Sequence, residues 1–201
     1  MNLSDLIYIR HNVLDKEFCN SIIEKFNADD RKSTGLIGDG YINEDIKKSL
    51  DLNISKYDDW SEEDKVFEKS FSDNIKLYID YLQNFTKSFE DYDINLPSLD
   101  FRDRGYLVRV YNKGEGYFNW HNDFSFYKDS GFRLLTLIWY LNNVEEGGQT
   151  EFIDGTIIKP KRGSVLIFPT SWYLAHRGKM PLSNKKYIVT GWLHGQKTTS
   201  S

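Results

Sequence analysis

Sulfur chemistry is nearly absent from this chain. Cys19 is the single cysteine among 201 residues, so no internal disulfide framework is available, in keeping with a reducing compartment. Long apolar runs are missing as well. No stretch approaches the roughly 18 apolar residues of a membrane span. Residues 1–20 carry Asp5, Arg10 and Asp15 and no apolar run of signal-peptide length. A cytoplasmic location and no membrane partner are therefore expected. Nor is there an excess of positive charge: 26 basic residues stand against 30 acidic ones, for a net charge of −4. That balance offers no electrostatic footprint for nucleic acid. Repeats are absent, and the one low-complexity tract is the polar tail 196–201, expected to fray. Histidine is scarce too, with only His11, His121, His176 and His194.

What is present suits a β-rich globular fold. Hydrophobic residues make up 39% and aromatic residues 15%, and the length fits one domain. Leu6–Arg10 reads as a short strand. Asp15 is a candidate N-cap for a helix bearing Phe18, Ile22, Ile23 and Phe26, with Cys19 as a small core residue beside that stripe. Residues 28–60 are turn-rich and lack a period, which predicts either a disordered loop or a functional lid, with Tyr41 and Trp60 as its notable aromatics. Ser61 with Glu62, Glu63 and Asp64 predicts a capped helix start. Phe67, Phe71, Ile75, Tyr78, Leu82 and Phe85 continue that helix to about residue 88. From Arg104 onward the period changes to two. Strands are predicted at 104–112, 117–123, 132–141, 149–153, 156–159, 163–168, 172–177 and 185–193, separated by Gly-bearing turns. This pattern predicts an antiparallel double-sheet roll. The organisation is thus one domain over 1–201. Residues 1–100 give helical support and the candidate lid, 101–195 the roll, and 196–201 the tail.

Chemistry concentrates at Trp120-His121-Asn122-Asp123. Side chains alternate along an extended chain, so His121 and Asp123 share a face. His176, at the end of a later strand, is the natural second imidazole. Two histidines and one carboxylate with positions left open suit a non-haem iron(II) centre. Ten residues beyond His176 stands Lys186. Alternation places Lys186, Ile188, Thr190 and Trp192 on one strand face and Lys185, Tyr187 and Val189 on the other. A buried ammonium at 186 would call for an anionic partner, and a dicarboxylate ligand supplies one. Blander readings stand beside these: a satisfied core histidine at 176, a solvated strand-end charge at 186.

From 104 to 194 the order of motifs resembles the catalytic core of the 2-oxoglutarate- and Fe(II)-dependent oxygenases, most closely their prolyl 4-hydroxylase-like branch. The matching pieces are Tyr111, His121-Asn122-Asp123, Arg133 through Tyr140 and Asn142, Glu146-Gly147-Gly148-Gln149-Thr150-Glu151-Phe152, Pro160-x-x-Gly163 through Phe168, His176, Lys186-Tyr187, Thr190 and Trp192. The resemblance implies an α+β, mainly β fold, a double-stranded β-helix (jelly roll) core with supporting N-terminal helices. It implies His121, Asp123 and His176 as iron ligands and Lys186 as the anchor of the far carboxylate of 2-oxoglutarate. Lysine at that place is similar to the collagen-type and bacterial prolyl 4-hydroxylases. Tyr140 matches a tyrosine bonding the same carboxylate, or is simply core. Tyr111 lines the cosubstrate pocket, and Thr190 and Trp192 flank it. Arg133 matches a contact to the substrate backbone, or is a surface arginine at a strand start. One departure is Pro181, five residues after His176 where four is usual.

The implied reaction couples decarboxylation of 2-oxoglutarate to succinate and CO2 with hydroxylation of a prolyl residue in a peptide or protein. Fe(II) is the cofactor, O2 the second cosubstrate and ascorbate the reductant. Free proline, another amino acid or a small metabolite remain as alternative substrates. A metal-free jelly-roll binding module is the non-enzymatic alternative. His11 and His194 have no partner at ligand spacing and read as structural or exposed.

Overall fold

The computed structural model describes residues 2–38, 40–86 and 99–197. In chain order the elements are β1 (Tyr8–Arg10), α1 (Lys16–Ala28), β2 (Ser33–Thr34), β3 (Lys47–Lys48), β4 (Leu50–Asn53), α2 (Ser61–Thr86), β5 (Leu99–Arg102) and β6 (Leu107–Tyr111). They continue with β7 (Tyr117–His121), β8 (Phe126–Tyr127), β9 (Gly131–Tyr140), β10 (Thr150–Phe152), β11 (Ile157–Ile158), β12 (Ser164–Pro169), β13 (His176–Gly178) and β14 (Lys186–Lys197). Among the described residues the strands form two antiparallel sheets. The larger runs β1-β12-β9-β14-β6-β4-β2, with β5 paired to β14 and β8 to β9; the smaller runs β11-β10-β13-β7-β3. This is the predicted roll. No described helix is long and apolar enough to cross a membrane.

Strand alternation sorts the core into two compartments. Val108 and Val110 of β6, Leu137 and Trp139 of β9, Val165 and Ile167 of β12, and Tyr187 and Val189 of β14 face the helices. There they meet Cys19, Ile22 and Phe26 of α1 and Phe67, Phe71, Ile75 and Tyr78 of α2. Each such side chain contributes about 1.5–3 kcal/mol by leaving water. Trp139 is the hub. Its ring lies 5.5 Å from Phe67 and 5.9 Å from Tyr106, and its indole N–H donates to Ser70 Oγ at 3.0 Å. The intervening residues Tyr111, Ile138, Tyr140, Leu166, Phe168 and Ile188 point between the sheets, against Phe152 and Leu174. The functional residues share this second compartment.

Local signals explain the helix starts. The Asp15 side chain accepts from the Phe18 amide at 2.7 Å, so it caps α1 as predicted. Ser61 is not a cap. It already has helical angles (φ −60, ψ −32) and follows a 3-10 turn, Asp58–Trp60. Gly163 opens β12 at φ +73, where an added Cβ would come within 2.3 Å of the Leu14 carbonyl oxygen. The Gly163 carbonyl in turn accepts from the Val13 and Leu14 amides at 2.7 and 3.2 Å, tying down the N-terminal segment.

Several expectations are corrected. Residues 28–60 are not one irregular lid: β2 and β4 join the large sheet beside β6, and β3 joins the small sheet beside β7. The edges of both sheets need unpaired main-chain groups covered, and short strands from the N-terminal half cover them. Trp60 is fully buried and donates to Asp29 Oδ2 at 2.9 Å, whereas Tyr41 is 70% exposed. Leu6 belongs to a 3-10 turn, Leu3–Leu6, so the first strand begins at Tyr8. The strand predicted at 172–177 is a 3-10 turn, Trp172–Leu174, followed by β13. Gln196 and Lys197 are not frayed but pair with Asp100 and Leu99. The second helix is described to Thr86, and residues 87–98 and 198–201, with its predicted end near 88 and the rest of the predicted tail, lie outside the described residues.

Candidate metal centre and cosubstrate cavity

His121 closes β7 and His176 opens β13, and the two residues are direct cross-strand partners. Their rings stand 4.2 Å apart at 55°. Asp123 lies two residues past His121, beyond the strand end, and turns back to the same point. The ligand atoms of His121, Asp123 and His176 all fall within 4.8 Å of one another. His121 Nε2 is 3.8 Å from Asp123 Oδ1, and His176 Nε2 is 3.9 Å from Oδ2.

The tautomers follow from the partners. His121 Nδ1 meets the Asn119 carbonyl at 2.8 Å and His176 Nδ1 meets the Leu174 carbonyl at 3.2 Å. A carbonyl only accepts, so each Nδ1 carries the proton and each Nε2 keeps its lone pair for a metal. Burial keeps both imidazoles neutral. That of His121 is pulled down to about 3, by burial and then by His176, against the opposing pull of Asp123. His176 is lowered chiefly by burial. Burial alone would raise the Asp123 carboxyl, yet the two histidines and Arg133 hold it well below the usual range. Thr136 Oγ1 donates to Asp123 Oδ2 at 2.7 Å and Trp192 Nε1 to the same oxygen at 3.2 Å. Neutral imidazoles and an ionised, oriented carboxylate are the donor set that iron(II) takes.

A cavity opens behind this triad, lined by Tyr111, Ile138, Thr150, Lys186, Ile188 and Thr190 together with His121, Asp123 and His176. Lys186 is 3% exposed. Among the described residues no carboxylate pairs with it. Its Nζ lies 5.7 Å from the Tyr111 ring and 5.6 Å from the Tyr140 ring. Burial pulls the Lys186 ammonium down to about 7. Thr190 Oγ1 is buried in the same cavity with no hydrogen-bond partner among the described residues. Orphaned donors of this kind carry a free-energy cost unless a ligand satisfies them. A dicarboxylate would supply the anion and the acceptor that Lys186 and Thr190 lack.

In front of the triad is an open groove of about 570 Å³, lined by Phe118, Trp120, Phe124, Tyr127, Arg133 and Trp192, among others. Arg133 lies 3.9 Å over the Trp192 ring and 5.1 Å over Tyr127, and its Nε is buried without a partner among the described residues. His121 and Asp123 line both spaces. They therefore stand between a small cavity, which His176 also lines, and a larger groove.

His121, Asp123, His176, Lys186, Tyr111 and Thr190 line the cavity, whereas Arg133 and Trp192 line the groove and Tyr140 lines neither. The Tyr140 hydroxyl meets Thr150 Oγ1 at 2.8 Å and its ring flanks Lys186. Trp192 reaches Asp123 as well as the groove. His194 is buried, and His11 Nδ1 meets Ser164 Oγ at 2.8 Å. Pro181 bridges to Gly147, and its carbonyl accepts from the Gly114 amide at 2.8 Å, which seats the extra residue before Lys186. Sequence reading missed Thr136, Thr150, Arg109 and Asp51. Arg109 had a signal, being a charge inside the apolar strand Leu107-Val108-Arg109-Val110-Tyr111 and on the Tyr111 face. Thr136 and Asp51 had none, because their partners are distant in the chain.

Residues 106–194 match the family described as the 2OG-Fe(II) oxygenase superfamily. No curated protein sequence matches the chain. Many solved structures share the fold, three prolyl hydroxylases among them. A viral collagen prolyl hydroxylase from Paramecium bursaria Chlorella virus-1, in its 2OG complex, aligns at TM-score 0.61 and 19% identity, covering 96% of this chain and 97% of that one. A Trichoplax adhaerens prolyl hydroxylase, in complex with a hypoxia inducible factor peptide fragment, aligns at 0.69 and 17%, covering 95% and 84%. A Pseudomonas putida prolyl-4-hydroxylase aligns at 0.62 and 15%, covering 94% and 92%.

Proposed function

We propose that this chain, whose residues 106–194 are those of a 2OG-Fe(II) oxygenase domain, is a dioxygenase that hydroxylates a prolyl residue within a peptide or protein. The observation that carries this reading is the His121-Asp123-His176 cluster standing between a cavity with an unpaired buried lysine and a larger groove. His121, Asp123 and His176 would hold iron(II). Held there, iron would supply the oxidative decarboxylation of 2-oxoglutarate by O2, to succinate and CO2, coupled to hydroxylation of a substrate C–H bond.

The chain's own groups divide the remaining work. Lys186 and the Thr190 hydroxyl would hold the far carboxylate of the cosubstrate. Thr136 and Trp192 orient Asp123. Phe118, stacked on the His121 ring at 3.4 Å, keeps water from that side. On the groove side, Arg133 would fix a substrate backbone. A peptide is favoured over a small metabolite by the groove's volume of about 570 Å³ and by an aromatic strip at its edge. Phe124 lies 5.9 Å from Phe132 and 5.5 Å from Trp172, and Phe126 lies 4.9 Å from Phe132. All four rings are exposed. An extended chain can lie along such a surface. The relatives named as prolyl hydroxylases, one of them holding a peptide, support the same choice.

The direct test incubates the protein with Fe(II), ascorbate, 2-oxoglutarate, O2 and proline-containing peptides. Mass spectrometry should find the gain of one oxygen atom on proline. If 2-oxoglutarate is not consumed, the oxygenase reading fails; if free proline is hydroxylated as well as any peptide, only the peptide reading fails. Arg133→Ala should separate the two half-reactions, with hydroxyproline falling at least tenfold while slow succinate formation persists. A parallel fall in both products would remove Arg133 from the substrate side.

Proton linkage gives a second check. Lys186 must be charged to hold a carboxylate, and its pKa in the free protein is about 7. Binding therefore takes up a proton above that pH, and affinity for 2-oxoglutarate should fall by about tenfold per pH unit from there upward. Calorimetry in buffers of different ionisation heat measures the uptake. Affinity unchanged between pH 7 and 9, together with unchanged affinity in Lys186→Gln, would show that Lys186 is not the anchor.

A further inference from the structure

Arg109, Asp51 and Lys47 form a buried charge cluster that the oxygenase reading has not used. Lys47 is 0%, Asp51 6% and Arg109 9% exposed. Lys47 Nζ donates to Asp51 Oδ2 at 2.7 Å, Arg109 Nε donates to the same oxygen at 3.0 Å, and Ser49 Oγ donates to Oδ1 at 2.7 Å. Two cations share one carboxylate, so the cluster holds one buried positive charge in excess. Burial, and then repulsion from Arg109, pulls Lys47 down to about 8. Asp51 stays ionised despite burial because Arg109 and Lys47 face it. Asp123, whose charge acts on both Lys47 and Arg109, offsets that excess in part, and an anion beside Arg109 would offset it further.

Strand register says where that charge points. Lys186 pairs with Tyr111 and Ile188 with Arg109. Arg109 and Tyr111 are two residues apart and share the face between the sheets. Arg109 thus lies one pair-step, about 7 Å along the strand, from the Lys186 end of the cavity. It lines that cavity and feels the Asp123 charge. Asp51 engages Nε at 3.0 Å, so the base of the guanidinium is fixed while the group lines the cavity beside the Tyr111 hydroxyl. Lys186 and Arg109 are thus two cations lining the same cavity as His121, Asp123 and His176, and a dicarboxylate carries one charge for each.

We propose that Arg109 is a second anchor for 2-oxoglutarate, holding the 2-oxo-acid end near the metal while Lys186 holds the far carboxylate. The inference rests on the oxygenase reading and adds to it a residue from β6 whose orientation is set by the N-terminal strand β4. The same contact makes Asp51 a positioning residue, and it couples cosubstrate binding to the docking of β3 and β4 on the sheets.

The test is binding without turnover. Protein loaded with Mn(II) in place of Fe(II) is titrated calorimetrically with 2-oxoglutarate and with 2-oxopentanoate, which lacks the far carboxylate. Arg109→Gln should weaken both ligands by a similar factor, roughly ten- to a hundredfold. Lys186→Gln should weaken 2-oxoglutarate alone. Arg109→Gln leaves the neutral Lys47–Asp51 pair in place. Should it nevertheless fail to fold, Arg109→Lys, which keeps the charge and loses the planar fork, should weaken both ligands severalfold. Wild-type affinity for 2-oxopentanoate in the folded variant overturns the proposal, whether 2-oxoglutarate binding is unchanged or is the only one lost. Wild-type protein that binds neither ligand with metal present overturns the oxygenase reading itself.

Discussion

Alanine in place of His121, Asp123 or His176 should abolish turnover and strip the protein of iron. Each variant removes one of three ligands, and two imidazoles or one imidazole with a carboxylate hold iron(II) poorly. The three variants should differ in what else they lose. Asp123→Ala leaves Thr136 Oγ1 and Trp192 Nε1 without their acceptor, a cost of about 1–3 kcal/mol for each buried group. It also leaves Arg133 without its nearest compensating charge. Its apoprotein should therefore be the least stable of the three. His121→Ala removes a ring stacked on Phe118 at the strand end and should unfold close to wild type. Thr136→Val probes the layer behind the ligands, and metal affinity should fall by about ten- to a hundredfold with the fold retained. Metal content after gel filtration and succinate formation report the first effect, and urea denaturation of the apoproteins the second. A ligand variant that keeps stoichiometric iron and full turnover would show that the triad is misassigned.

Lys186→Ala should raise the 2-oxoglutarate requirement by about ten- to a hundredfold or more, from loss of a charge-assisted contact of about 1.5–3 kcal/mol. Lys185→Ala should do almost nothing. The two lysines are adjacent, yet Lys185 is exposed and Lys186 buried, because successive side chains of β14 leave on opposite faces. The same substitution has a second sign. In the free protein the Lys186 ammonium is buried without a carboxylate partner, so its folded pKa, about 7, is depressed from 10.5. A depressed lysine pKa costs stability in full below about pH 7, and the cost fades as pH rises toward 10.5. Lys186→Met should therefore stabilise the ligand-free protein at neutral pH and abolish that pH slope, while damaging cosubstrate binding. Thermal unfolding with and without 2-oxoglutarate separates the two effects. A variant less stable than wild type in both conditions would give Lys186 a structural role instead.

Which groups face each other within one strand was legible in the amino-acid order, because alternation is a property of the extended backbone itself. His121 with Asp123, and Lys186 with Ile188, Thr190 and Trp192, could be assigned to common faces without knowing the fold. The caps and stripes of the helices were legible for the same reason, as Asp15 with Phe18 shows. The period said nothing about residues 28–60, since strands of two to four residues are too short to carry one. Their place was decided by open sheet edges waiting beside β6 and β7. Asp51 meets Arg109 across 58 residues, and Asp123 meets Trp192 across 69. Such pairs depend on which strands become neighbours, a matter of how both sheets close over one core. The sequence thus determined the metal-binding chemistry and the face it occupies. Only the tertiary structure decided that a buried aspartate from the N-terminal half would aim Arg109 into the cavity, because no local regularity of the chain encodes a contact between distant strands.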